Sequence, residues 1–235
     1  MQLLEKQKLL EMWNYSLDQG ANVVLMRHAP KSGSNESGLS EQGIRLTKAY
    51  GEVLARAANL RNPQLLCTSK KRTTDTLYYL FPSFPARTHT ITTDLEVNAI
   101  SPLVEKQFPH IHVAIGHFRR YYLNHTYYFL EKLGGTFGDP SDEANLHTVI
   151  AERMARGIKS LFDFNKTVVY CGHSPSIEVG LEKLLGLSLS ELGGFLNPLD
   201  SIHLRKYGNQ IQWVARINPI VGYVDLESET YFGRH

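Results

Sequence analysis

The sequence predicts an α/β protein: a three-layer α/β/α sandwich with a mainly parallel central sheet and an inserted cap region. Three observations carry this expectation. Short β-branched apolar runs alternate with longer stretches of helical period, the order expected of a parallel sheet covered on both faces. Three of those runs stop abruptly in clusters that hold Arg or His. At 235 residues, with 42% hydrophobic and 20% charged, the chain has length enough for one large α/β domain, read as residues 1–235.

Taken in order, residues 1–20 mix Leu and Trp with Glu, Lys and Gln at helical spacing and predict a docking helix. The stretch Asn22 to Met26 reads as a buried strand ending at Arg27, His28, Ala29 and Pro30. A Ser/Gly/Asn-rich loop follows, and Leu39, Ser40, Glu41, Gln42 and Gly43 open a helix carrying Ile44, Ala49, Val53, Leu54 and Ala57 and ending near Asn59. Gln64 to Cys67 is a second strand. It runs into Thr68, Ser69, Lys70, Lys71, Arg72, Thr73 and Thr74, where a helix bearing Leu77, Tyr78 and Leu80 begins.

Between Pro82 and about Asp142, Pro, His and aromatic residues interrupt any single period, apart from a helix over Phe118 to Leu133. This stretch reads as an insertion over the sheet, with its cap at about 98–140. Leu146, Ile150, Met154, Ile158 and Leu161 then mark a helix that leads into a third strand, Thr167 to Cys171. That strand ends at Gly172, His173, Ser174 and Pro175, before a helix through Ile177, Val179, Leu181, Leu184 and Leu185. Ser201 to Leu204 and Gln210 to Val214, joined through Tyr207, Gly208 and Asn209, alternate as a β-hairpin.

The bulk properties narrow the partners. A net charge of +2 and a pI near 8.4, without a dense Lys/Arg stripe, argue against nucleic acid or membrane binding. Cys67 and Cys171 both sit in apolar strand-like runs and read as buried free thiols, so nothing demands an oxidising compartment. The N-terminus has neither the unbroken apolar core nor the cleavage site of a signal peptide. No apolar run approaches the roughly 18 residues of a membrane span, and a cytoplasmic location is expected.

In an open α/β sheet, ligands bind beyond the carboxyl ends of the strands. Arg27, His28, Arg72 and His173 each lie just past such an end, so one crevice can gather all four. Two arginines and two histidines without metal-ligand spacing suit a dianionic phosphoryl group, because each guanidinium presents a planar fork to phosphate oxygens. One histidine can act as nucleophile if an acceptor holds its other ring nitrogen, while the second, protonated, would stabilise charge on the equatorial oxygens. A carboxylic acid must still protonate the leaving alkoxide. Glu96 is the choice, with Asp94 as its nearer rival.

This pattern resembles the histidine phosphatase superfamily, which includes the cofactor-dependent phosphoglycerate mutases, fructose-2,6-bisphosphatases and acid phosphatases. Leu25-Met26-Arg27-His28-Ala29 is similar to its strand-borne Arg-His-Gly motif, with Ala29 where many members have Gly. Leu39 to Gly43 is similar to its L-T/S-x-x-G helix start, Ser69 to Thr76 to its S-x-x-R-x-x-x-T segment, and Tyr170 to Ser174 to its second Gly-His strand end. The ordered set spans residues 22 to about 180. The resemblance implies that His28 becomes phosphohistidine and that Arg27, Arg72 and His173 form the phosphate pocket, with Ser174 as a further substrate contact. It implies that Glu96 is the acid, and that neither metal nor cofactor is needed.

Each element also has a plainer reading. Arg27 and His28 alone would fit a salt-bridged strand terminus, Arg72 a solvated basic run beside Lys70 and Lys71, and Gly172-His173 a capped turn. Glu96 fits a surface carboxylate equally well, and Asn35 fits a plain loop. His110 and His112 lack a third ligand and read as structural; His117, Arg119, Arg120, Tyr121 and Tyr122 read as helix packing. The expected function is a metal-independent phosphatase acting on a small phosphorylated metabolite, with a phosphoprotein as the second substrate class. A phosphoglycerate-type mutase ranks below it because the mutases' Glu-rich, Tyr-Gly-containing loop is missing between Glu96 and Gly138. A non-catalytic phospho-ligand-binding protein is the remaining alternative. Substrate identity and oligomeric state stay open at this point.

Overall fold

The computed structural model describes residues 4–33, 38–58, 60–68, 70–88, 151–152, 154–174, 176–220 and 224–225. Glu96, Asp94, Asn35, His110, His112, the aromatic and basic run 117–122 and the expected cap lie outside the described residues.

The first helix, α1 (Lys6–Asp18), buries Leu9, Met12, Trp13, Ser16 and Leu17, one stripe at three- and four-residue spacing. It ends where Gly20 takes φ +84, a left-handed conformation that a residue with a side chain adopts at a cost. Next come β1 (Val23–Arg27), α2 (Glu41–Leu54), β2 (Gln64–Cys67), α3 (Lys71–Leu80) and the short β3 (Arg87–Thr88). Helical residues 151–152 and 154–160, here α4, lead through a 3-10 turn at Leu161–Asp163 into β4 (Val168–Gly172). The helix α5 (Ser176–Leu185), the hairpin β5 (Ser201–Tyr207) and β6 (Gln210–Ile217), and β7 (Val224–Asp225) complete the described elements.

Helix α2 stops at Leu54 instead of running on to Asn59. Its end tightens to three-residue hydrogen bonds, Arg56 N–H to Val53 O and Ala57 N–H to Leu54 O, which turn the chain away from the helix axis. Its start is firm. The Ser40 hydroxyl accepts from Gly43 N–H at 3.0 Å and donates to Pro30 O at 3.2 Å, so one side chain caps the helix and fastens the loop that leaves β1.

The sheet has seven strands in the order β3-β2-β4-β1-β5-β6-β7. β1, β2, β3 and β4 pair in parallel. β5 is antiparallel to β1, β6 to β5 and β7 to β6, so five of the seven strands share one direction. Alternate residues of the central strands enter two separate cores. Val24, Met26, Leu65, Cys67, Val169 and Cys171 join residues of α1, α2 and α3, while Val23, Leu25, Leu66, Val168 and Tyr170 join Met154, Ile158, Ile177 and Leu181. Helices therefore cover both faces, as the near-continuous apolar strands require. Cys67 and Cys171 are buried free thiols.

Candidate active site

Three parallel strands end at one level. Arg27 of β1 is in register with Gly172 of β4, and Cys67 of β2 is in register with Cys171 of the same strand. The residues that follow are His28, Thr68 and His173. Their backbones are tied across the strands, His28 N–H donating to Gly172 O at 3.2 Å and Thr68 N–H to Cys171 O at 3.3 Å. Arg72 reaches the same place from the first turn of α3.

The four residues named from the sequence for the phosphate site are brought together. The His28 and His173 rings lie edge to face with centroids 5.3 Å apart. The Arg72 Nη2 donates to His173 Nδ1 at 3.3 Å. The Arg27 Nη1 donates to Leu196 O at 2.5 Å, which holds that guanidinium from the side of the loop after α5.

These contacts define the tautomers. The His28 Nδ1 is 2.7 Å from Ala29 O; a carbonyl only accepts, so Nδ1 carries the proton and Nε2 keeps its lone pair. The His173 Nδ1 accepts from an arginine, which only donates, so its Nε2 carries the proton and donates to Thr68 Oγ1 at 3.0 Å.

Burial pushes the His28 pKa down to about 3, and the positive charges of Arg72, Arg27 and Lys31 add to the shift against the opposing pull of the Ala29 carbonyl. His173 is also held well below the ordinary histidine range, chiefly by burial and then by Arg72, His28, Arg27 and Lys70. The free site therefore favours the neutral form of His173. The same basic field that keeps His173 neutral attracts a dianion, whose charge would in turn favour protonation.

Ser174 turns inward. Its hydroxyl donates to Glu178 Oε1 at 2.6 Å, which commits its one proton to the protein interior. Thr76, the last position of the segment around Arg72, accepts from Ala29 N–H at 3.0 Å and donates to Arg72 O at 2.7 Å, joining the two arginine-bearing segments.

Two participants had no clear sequence signal. Thr68 stands in a polar cluster where any hydroxyl looks like loop, and its role depends on a partner from another strand. Glu178 interrupts the apolar run of α5, which in retrospect is a signal, and it is only 1% exposed. Among the described residues no group of three or more His, Cys, Asp or Glu is placed to hold a metal, and no helix is long and apolar enough to cross a membrane.

No protein-family model and no curated protein sequence matches the chain. Solved structures do. The phosphoserine phosphatase of Entamoeba histolytica, in complex with 3-phosphoglyceric acid, is similar at 14% identity and a TM-score of 0.54, over 83% of this chain and 96% of that one. A mycobacterial glucosyl-3-phosphoglycerate phosphatase in complex with VO3 is similar at 16% identity and a TM-score of 0.50, over 82% and 96%. A candidate alpha-ribazole-5'-P phosphatase of Escherichia coli gives 13% identity and a TM-score of 0.53, over 86% and 98%. These likenesses establish the fold as that of the histidine phosphatases.

Proposed function

We propose that this chain is a metal-independent phosphatase that hydrolyses a phosphomonoester through a phosphohistidine on His28. The observation that carries the reading is the hydrogen bond from His28 Nδ1 to Ala29 O, which leaves Nε2 as an unprotonated nucleophile beside two arginines and a second histidine. The fold supports it, and so do the names of its structural relatives, which act on small phosphorylated metabolites. A small metabolite of that kind is the proposed substrate.

In the first step His28 Nε2 attacks phosphorus, the ester P–O bond breaks, and the leaving alkoxide takes a proton from a carboxylic acid. Glu96, or Asp94 in its place, is proposed for that acid. In the second step the resulting carboxylate takes a proton from water, whose oxygen attacks phosphorus. The P–N bond then breaks and inorganic phosphate leaves. Arg27 and Arg72 neutralise the charge on the transferring group, and His173 donates to it once the dianion has raised its pKa.

The deciding experiment is phosphate release from p-nitrophenyl phosphate and a panel of phosphometabolites in EDTA, with wild type and His28→Ala compared. Turnover that survives EDTA and disappears in the variant is the expected result. Pure, folded wild type that turns over nothing in the panel would overturn the phosphatase reading in favour of a mutase or a binding protein.

A further inference from the structure

Glu178 lies in the first turn of α5, almost fully buried among Ile177, Val179 and Leu181. A carboxyl group in such a place needs hydrogen bonds to be tolerated. Its Oε1 accepts two, from Ser174 Oγ at 2.6 Å and from Leu196 N–H at 2.7 Å. Leu196 is also the residue whose carbonyl accepts from the Arg27 guanidinium. One residue of the 188–200 loop thus has its N–H held by Glu178 and its C=O held against Arg27.

The rest of the loop is braced around Arg27 as well. Leu199 N–H donates to Arg27 O at 3.2 Å, and Arg27 N–H donates to Asp200 O at 3.0 Å. Leu199 sits at φ +69, a conformation that a leucine keeps only where its surroundings demand it. Anchoring the loop to the sheet is already the work of another group: Arg216 donates to Leu192 O, Gly194 O and Phe195 O and pairs with Asp200 at 2.9 Å. What Glu178 adds to that anchoring is a hold on Leu196 itself, the residue whose carbonyl meets the Arg27 guanidinium.

We propose that Glu178 is a positioning residue for phosphoryl transfer: by holding Leu196 it fixes the Arg27 guanidinium in the phosphate pocket. This rests on the phosphatase reading of the site. The Glu178 carboxyl bonds to Ser174 and Leu196, and acts through Arg27.

The test is a cycle of Glu178→Ala, Arg27→Lys and the double variant, with Glu178→Gln as the conservative replacement. The readouts are kcat and KM for p-nitrophenyl phosphate, inhibition by inorganic phosphate, and the Arg27 Nε–Hε NMR correlation in the free protein. Glu178→Ala should weaken inorganic phosphate binding about tenfold, the order of one hydrogen bond to a charged group, and shift the Arg27 correlation. Glu178→Gln keeps the acceptor and should restore most of the loss. The double variant should be no worse than Arg27→Lys alone.

Losses that multiply in the double variant, or an Arg27 correlation unmoved in Glu178→Ala while only the melting temperature falls, would overturn the proposal in favour of a purely structural carboxyl. Wild type that neither hydrolyses an ester nor binds phosphate would overturn the phosphatase reading and, with it, the role in transfer. The Arg27 correlation separates the two failures, because it reports the Glu178 to Arg27 link without any turnover.

Discussion

The Nδ1 of His28 donates to the carbonyl of Ala29 across 2.7 Å, a contact made between chain neighbours on the turn that leaves β1. It orients the ring and fixes the proton on Nδ1, while burial, against the pull of that same carbonyl, keeps the imidazole neutral and leaves the Nε2 lone pair available.

That neutrality has a cost in acid. His28 and His203 both have pKa values lowered to about 3, in each case first through burial. Unfolded histidines titrate near 6.5. Between these values the unfolded chain binds protons that the folded chain refuses, so stability is fully present above about pH 6.5 and is lost as pH falls toward 3, at about 1.4 kcal/mol per pH unit for each group. Glu178 and Asp200, raised chiefly by burial, take up protons sooner in the folded state and oppose this slope at low pH. His203, between Ser16 Oγ at 2.7 Å and Ser201 Oγ at 3.0 Å, lies away from the phosphate pocket and can be isolated. Urea denaturation between pH 7.5 and 5 should show a shallower slope for His203→Gln than for wild type, by about one proton. Equal slopes would mean that His203 titrates normally in the folded protein.

Thr68 is the acceptor for the His173 Nε2 proton at 3.0 Å, and its oxygen also lies 2.9 Å from the Thr73 hydroxyl. Thr68→Val keeps the shape and removes the acceptor, leaving a buried N–H without its partner. The expected cost is about 1–1.5 kcal/mol in kcat/KM for p-nitrophenyl phosphate, roughly tenfold, with Thr68→Ser close to wild type. Unchanged kinetics in the valine variant would show that His173 is oriented by Arg72 alone.

What could be read from the sequence followed from local pattern. Val23 to Met26, Gln64 to Cys67 and Val168 to Cys171 are apolar enough that only buried strands accommodate them, and parallel pairing then brings Arg27, His28, Arg72 and His173 to one edge. The hairpin was equally legible, although its strands reach Tyr207 and Ile217. Its place beside β1, which makes three of the six strand pairings antiparallel, depends on tertiary pairing that no local period encodes. The roles of Thr68 and Glu178 were hidden for the same reason: each is defined by a partner distant in the chain. Ser174 is a substrate contact through the resemblance alone, and only the position of Glu178 shows where its hydroxyl proton goes. Glu96 lies outside the described residues, so its role in the proposed mechanism stands on the resemblance and on the chemistry that needs an acid.

Gly43, the last residue of the helix-start motif, has a steric reason to be glycine. A Cβ there would stand 2.1 Å from Pro30 O and 3.1 Å from Pro30 C, both backbone atoms that cannot swing aside as a side chain would. Alanine is the better helix former by about 1 kcal/mol, so propensity alone predicts that Gly43→Ala stabilises α2. The contact with Pro30 reverses the sign. Relieving it means pushing α2 away from the loop, breaking the Ser40 cap, or moving Pro30, which is two residues beyond His28. The expected result is a loss of about 1–3 kcal/mol in urea denaturation, the usual range for overpacking, together with lower kcat because the turn at His28 moves. A Gly43→Ala protein that is more stable than wild type and fully active would show that the loop yields freely, and that Pro30 does not hold the turn at His28 against α2.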